Sequence, residues 1–112
     1  MAQAPEIKGL LDLRPVRLME HRMEGELAVV LVPRFRSRWM FWLQRRLKKP
    51  HFHLHLDPIG TAVWLFSDGE STVSRIGERL LEKFGDEVEP VWDRLALFIR
   101  HMNSGKLIDL QG

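Results

Sequence analysis

Residues 56–84, LDPIGTAVWLFSDGESTVSRIGERLLEKF, constrain the fold more than any other stretch, because two helix starts and one tight turn follow each other there. Asp57 can accept from the free backbone N–H groups of a first helical turn. Pro58 beside it has no N–H to lose and a φ already suited to that turn. A helix is predicted from there, with Ile59, Ala62, Val63, Trp64, Leu65 and Phe66 as its apolar residues, until Ser67-Asp68-Gly69, where glycine supplies the left-handed residue that ends it. Ser71, with Thr72 as neighbour, repeats the capping role, and Val73, Ile76, Leu80, Leu81 and Phe84 recur at helical spacing until Gly85. Two short helices joined by a turn form a helix-turn-helix pair.

Upstream of this pair the pattern is extended. Residues 1–15 show no clear period and read as an irregular lead-in. From Val16 the pattern becomes that of a hairpin. Its first arm holds Val16, Leu18 and Met23, its turn is Glu24-Gly25, its second arm is the apolar run 27–32, and Pro33 ends the pairing because it cannot donate to a ladder. Residues 51–56, HFHLHL, alternate strictly, which puts His51, His53 and His55 on one face of a strand and Phe52, Leu54 and Leu56 on the core face. Downstream of the pair, residues 88–90 start a third helix with the inward stripe Val91, Leu95, Phe98, Ile99 and Met102, ended by 103–105. Residues 107–110 either add a short strand or lie across the core. The order is β-β-insert-β-α-α-α, an α+β chain forming a single domain over 1–112, with the third strand and the helices in 51–110.

The charge is unevenly placed. Residues 34–50 hold seven bases and no acid, so of the chain's 17 bases ten remain elsewhere, against 15 acids. A mildly acidic body therefore carries one strongly basic segment, in which Trp39, Phe41 and Trp42 are embedded. As a helix, that segment would align Trp39, Leu43 and Leu47. A solvated loop with its aromatics tucked onto the core competes with a partner-docking or self-association surface built on Arg38, Trp39, Trp42, Arg45 and Arg46, which leaves a homodimer open; nucleic acid and membrane surfaces are less favoured.

Other function classes are narrowed by what the chain lacks. There are no cysteines, so disulfides, thiolate catalysis and Cys-ligated zinc are excluded. No apolar run approaches the roughly 20 residues that span a bilayer, and the first residues lack a signal-peptide pattern, so a cytoplasmic protein is expected. Three imidazoles on one strand face raise a metal hypothesis, but no acid at neighbouring alternate positions orients them, and a polar strand face is preferred. Such a face would repel itself when protonated, so binding along it is expected to weaken toward acid pH. Asp57, Asp68, Ser71 and Thr72 are explained by caps and turns, and no phosphate loop or HExxH string is present; neither catalysis nor a cofactor is expected.

The strings Leu56-Asp57-x-x-Gly60-x-x-Val63-Trp64 and Asp68-Gly69-x-x-Thr72-Val73-x-x-Ile76, with Leu80, Phe84-Gly85, Val91, Leu95, Phe98 and Ile108, resemble the PqqD family of small peptide-binding proteins, the RiPP recognition elements. The resemblance covers somewhat over half the chain. It implies a winged-helix-like fold, a three-stranded antiparallel sheet followed by a three-helix bundle, that does no chemistry. Such proteins hold the leader of a ribosomally made precursor peptide and present it to a modifying enzyme, in the namesake case a radical SAM protein. The peptide adds as a strand along the third strand and lies against the third helix. Here that implies His51, Phe52, His53, Leu54, His55 and Leu56 as the receiving edge, and Val91, Leu95, Phe98 and Met102 as the wall. An edge strand leaves free N–H and C=O groups that capture an extended segment unless blocked, and no lysine or proline lies inside this one. The competing class is a DNA-binding or scaffold protein of the same shape. The second helix is balanced in sign, however, and a recognition helix facing phosphates is normally more basic.

Overall fold

The computed structural model describes residues 9–33 and 51–112; the lead-in before residue 9 and the basic segment 34–50, with the docking residues Arg38, Trp39, Trp42, Arg45 and Arg46, lie outside the described residues. Among the described residues the elements follow in the order β1 (Arg14–Arg17), β2 (Glu20–Glu24), β3 (Leu27–Pro33), β4 (His51–His55), α1 (Pro58–Phe66), α2 (Val73–Phe84), α3 (Val91–Ser104) and β5 (Ile108–Gln111), with a 3-10 turn, Gly85–Val88, between α2 and α3. The architecture is α+β: a three-stranded antiparallel sheet ordered β2-β3-β4, three helices, and a separate antiparallel pair β1-β5.

The hairpin forms where its turn predicts. Gly25 is the first loop residue between Glu24 and Leu27 and takes the positive φ, 64°, that right-twisted strands demand of a two-residue connection. Its first arm, however, is two strands. Arg14–Arg17 leaves the hairpin and pairs with Ile108–Gln111, Val16 opposite Asp109, while Glu20–Glu24 alone pairs with β3. A partner so distant in the chain leaves no local mark, which is why Val16 and Met23 read as one arm.

Both helix starts carry a side-chain cap. Asp57 Oδ1 accepts from Gly60 N at 2.6 Å, and Pro58 occupies the first helical position. At α2 the cap is Thr72 rather than Ser71, its Oγ1 accepting from Arg75 N at 3.2 Å. The two N–H groups before that one, on Val73 and Ser74, donate to the carbonyls of Leu13 and Leu11. The tail end of the lead-in therefore satisfies donors that any helix start leaves open.

The end of α1 departs from the glycine stop. Ser67 closes it, with Ser67 Oγ donating to Val63 O at 2.7 Å, and the left-handed Gly69 comes two residues later. Arg17 reaches across from β1 and donates to the carbonyls of Trp64 at 3.0 Å and Leu65 at 2.8 Å. A cation on the last carbonyls of a helix satisfies acceptors and opposes the negative end of the helix dipole. Arg17→Ala is expected to lower stability by about 2 kcal/mol in urea unfolding, as charged donors typically contribute. Arg17→Lys recovers only part, because an ammonium cannot fork between two carbonyls. In the turn that follows, Asp68 Oδ1 accepts from the N–H groups of Glu70 and Ser71, and these bonds hold its carboxyl below the usual carboxylate range. That contribution is present at neutral pH and is lost as pH falls through the lowered value.

The core lies between the helix-facing side of β3 and the three helices. Trp64 and Ile76 are fully buried, with Leu80, Ile99 and Ile108 no more than 1% exposed. Trp92 on α3 lies against the backbone of α2 at Gly77, where a Cβ would overlap its ring. At the other end of α3 the left-handed residue is Lys106, with φ 61°, not Gly105.

Candidate functional site

The sheet has β3 at its centre, so β4 pairs on one side only among the described residues. The register fixes which groups face outward. Leu56 N donates to Ala28 O at 3.0 Å, and the alignment runs on without a bulge through Leu54 opposite Val30 and Phe52 opposite Val32. In an antiparallel pair only alternate rows exchange hydrogen bonds. Phe52 and Leu54 therefore spend their backbone groups on β3, as Leu56 does its N–H, Ala28 N donating instead to Thr61 Oγ1 at 3.0 Å, while His51, His53 and His55 turn their N–H and C=O groups away from it.

The side chains alternate with the same period. His21 lies opposite Val30, and its ring stands edge-on to buried Trp64 with centroids 6.1 Å apart, so the row His21-Val30-Leu54 faces the helices. Of the three apolar residues of 51–56 only Leu56, just past the end of β4, is buried, at 8% exposed; Phe52 is 53% and Leu54 38% exposed. The expectation that this face is core therefore holds at the end of the strand where α1 begins, and gives way to an apolar ledge beyond it. His53 and His55 are exposed on the opposite face.

The other edge is chemically different. The outward amides of β2 belong to His21 and Met23, flanked by Glu20, Arg22 and Glu24, with Arg22 and Glu24 paired at 2.8 Å. Charges along an edge discourage a further strand from pairing. The described part of β4 carries neither acid nor permanent base, and His55 Nδ1 lies 3.9 Å from Glu24 Oε1.

Of the α3 residues expected to form a wall, three are buried. Val91, Leu95 and Met102 are 1%, 2% and 6% exposed, filling the core beside Ile99. Phe98 keeps partial exposure and packs over the first turn of α1, its Cε2 3.3 Å from where a Cβ on Gly60 would sit. A cavity of about 100 Å³ beneath it is lined by Asp57, Gly60, Arg94 and Leu95 among others. Helical periodicity reports which residues turn inward, and cannot say whether they meet the core or a groove. The outward amides escaped sequence reasoning as well, since they depend on which β4 row bonds to β3.

Among the described residues no three His, Asp or Glu side chains are placed to hold a metal ion, and no helix is long and apolar enough to cross a membrane. Neither curated proteins nor solved structures gave a match to this chain. The family described as Coenzyme PQQ synthesis protein D (PqqD) matches residues 51–108, from the first residue of β4 through the three helices to the first residue of β5. That match takes in the open strand, the capped helix pair and the third helix, over half of the chain, and the protein belongs to the PqqD family.

Proposed function

We propose that this protein is a non-catalytic accessory that captures the leader of a ribosomally made precursor peptide by strand addition on β4 and presents it to a modifying enzyme, such as a radical SAM maturase. The observation that carries this reading is a strand with one neighbour among the described residues, outward amides at His51, His53 and His55, and exposed apolar side chains at Phe52 and Leu54. An extended guest gains backbone pairing along such an edge, and the alternate side chains it lays on the ledge supply selectivity. Family membership supports the same role. Of the α3 residues, partly exposed Phe98 is the one left to contact the guest, while buried Val91, Leu95 and Met102 serve by holding α3 in place. Arg38, Trp39, Trp42, Arg45 and Arg46 of the basic segment are assigned to docking the enzyme.

Reading DNA fits the helix pair less well. Arg75 lies 3.3 Å from Glu78 and 3.8 Å from Glu82, and Arg79 sits over the Phe66 ring at 3.9 Å, so two of the bases of α2 are already engaged.

The test is calorimetric titration with the leader segment of a ribosomally made precursor peptide. In the Phe52→Ser/Leu54→Ser double variant, affinity is expected to fall about thirtyfold, since losing the burial of two half-exposed apolar side chains removes about 2 kcal/mol. Unchanged affinity in that variant removes the ledge from the mechanism.

A further inference from the structure

Resting on the strand-addition reading, we infer that β4 selects peptides in which acidic and apolar residues alternate, the acids beside His53 and His55 and the apolar residues beside Phe52 and Leu54. A guest residue directly opposite His53 projects to the same face of the sheet, with Cβ atoms about 5 Å away, and its neighbours project to the helix side. The ledge demands apolar side chains on that side.

On the outer face the demand is set by imidazole. Neutral histidine offers one N–H donor and protonated histidine offers two with a positive charge; a carboxylate is an acceptor in either case, whereas an ammonium offers only donors and repels the cation. The surroundings leave that demand largely unmet. β3 contributes Leu31 beside His53 and Val29 beside His55, neither titratable. β2 contributes Glu20 and Arg22 one row further across and Glu24 at 3.9 Å from His55, but Glu24 is held by Arg22 at 2.8 Å. Asp57, next along the chain, is committed to Gly60 N. His53 has no acid at ion-pair distance among the described residues.

The pH response has opposite signs for different guests. An uncharged guest takes water from any protonated imidazole it covers and returns no counter-charge, so it is held less well at pH 6 than at pH 8. A guest with carboxylates opposite both turns the same protons into attraction and is held more tightly at pH 6.

The test uses three labelled seven-residue peptides with leucine at alternate positions and Glu, Ser or Lys between them, titrated by fluorescence anisotropy at pH 6 and pH 8. At pH 6 the Glu peptide is expected to bind about tenfold tighter than the Lys peptide, the size of two opposite-charge cross-strand pairs. Its affinity should fall as pH rises, and both effects should vanish in His53→Gln/His55→Gln, which changes only exposed side chains. Equal binding of all three peptides, or tighter binding of the Lys peptide, overturns the acid preference and leaves strand addition standing. No binding by any of the three overturns both.

Discussion

Gly77→Ala is expected to destabilise the protein by about 3 kcal/mol, although the same change in most helix interiors stabilises by about 1 kcal/mol. The sign is set by Trp92. A methyl on Gly77 would overlap its six-membered ring, and the position is buried in the packing of α2 on α3. A rigid indole held by a neighbouring helix gives way only if the helices separate. In a domain whose total stability is on the order of 10 kcal/mol, that loss is large. Chemical denaturation of Gly77→Ala in two backgrounds isolates the cause. Beside Trp92→Ala, which removes the ring, the substitution is expected to become neutral or stabilising. A large penalty that persists without the ring would mean that the close approach is not its source.

Proline at two adjacent positions of β4 should give opposite outcomes. Leu54 bonds to β3 opposite Val30, so Leu54→Pro removes a ladder donor and sets a ring against the central strand. It is expected to cost about 3 kcal/mol or more, read as loss of the cooperative unfolding transition near its wild-type midpoint. His53 donates away from the sheet, where proline is tolerated on edge strands. His53→Pro is expected to unfold within about 1 kcal/mol of wild type and to bind leader peptide more than tenfold more weakly, because the guest loses a backbone donor and meets the ring. The contrast follows from one hydrogen bond, Leu56 N to Ala28 O, which sets the phase of the whole strand.

What the sequence discloses here is local. Asp57-Pro58 marks the start of α1, Gly25 marks the hairpin turn, and the alternation of residues 51–56 marks β4, because each feature acts through a few neighbouring backbone groups. Residues 107–110, left between a strand and a crossing segment, belong largely to β5. What stayed hidden depends on distant partners. The pairing of β1 with β5 needs both ends of the chain, and the donors at the start of α2 are met by carbonyls of Leu11 and Leu13. Thr72 takes the cap in place of Ser71 because residue 73, not 72, is the first in the helix. Periodicity turns Val91, Leu95, Met102 and Phe98 inward alike, but the first three are buried in the core while Phe98 stays partly exposed over the first turn of α1. The approach of Trp92 to Gly77 has no signature in either residue's surroundings.

The central claim is that a peptide backbone lies along the outer side of β4, and amide hydrogen exchange on the full chain reads it residue by residue. On saturation with leader peptide, the N–H groups of His53 and His55 should slow by an order of magnitude or more, while those of Phe52 and Leu54, already bonded to β3, change little. Protection that appears elsewhere, with His53 and His55 exchanging as in the free protein, would contradict the account.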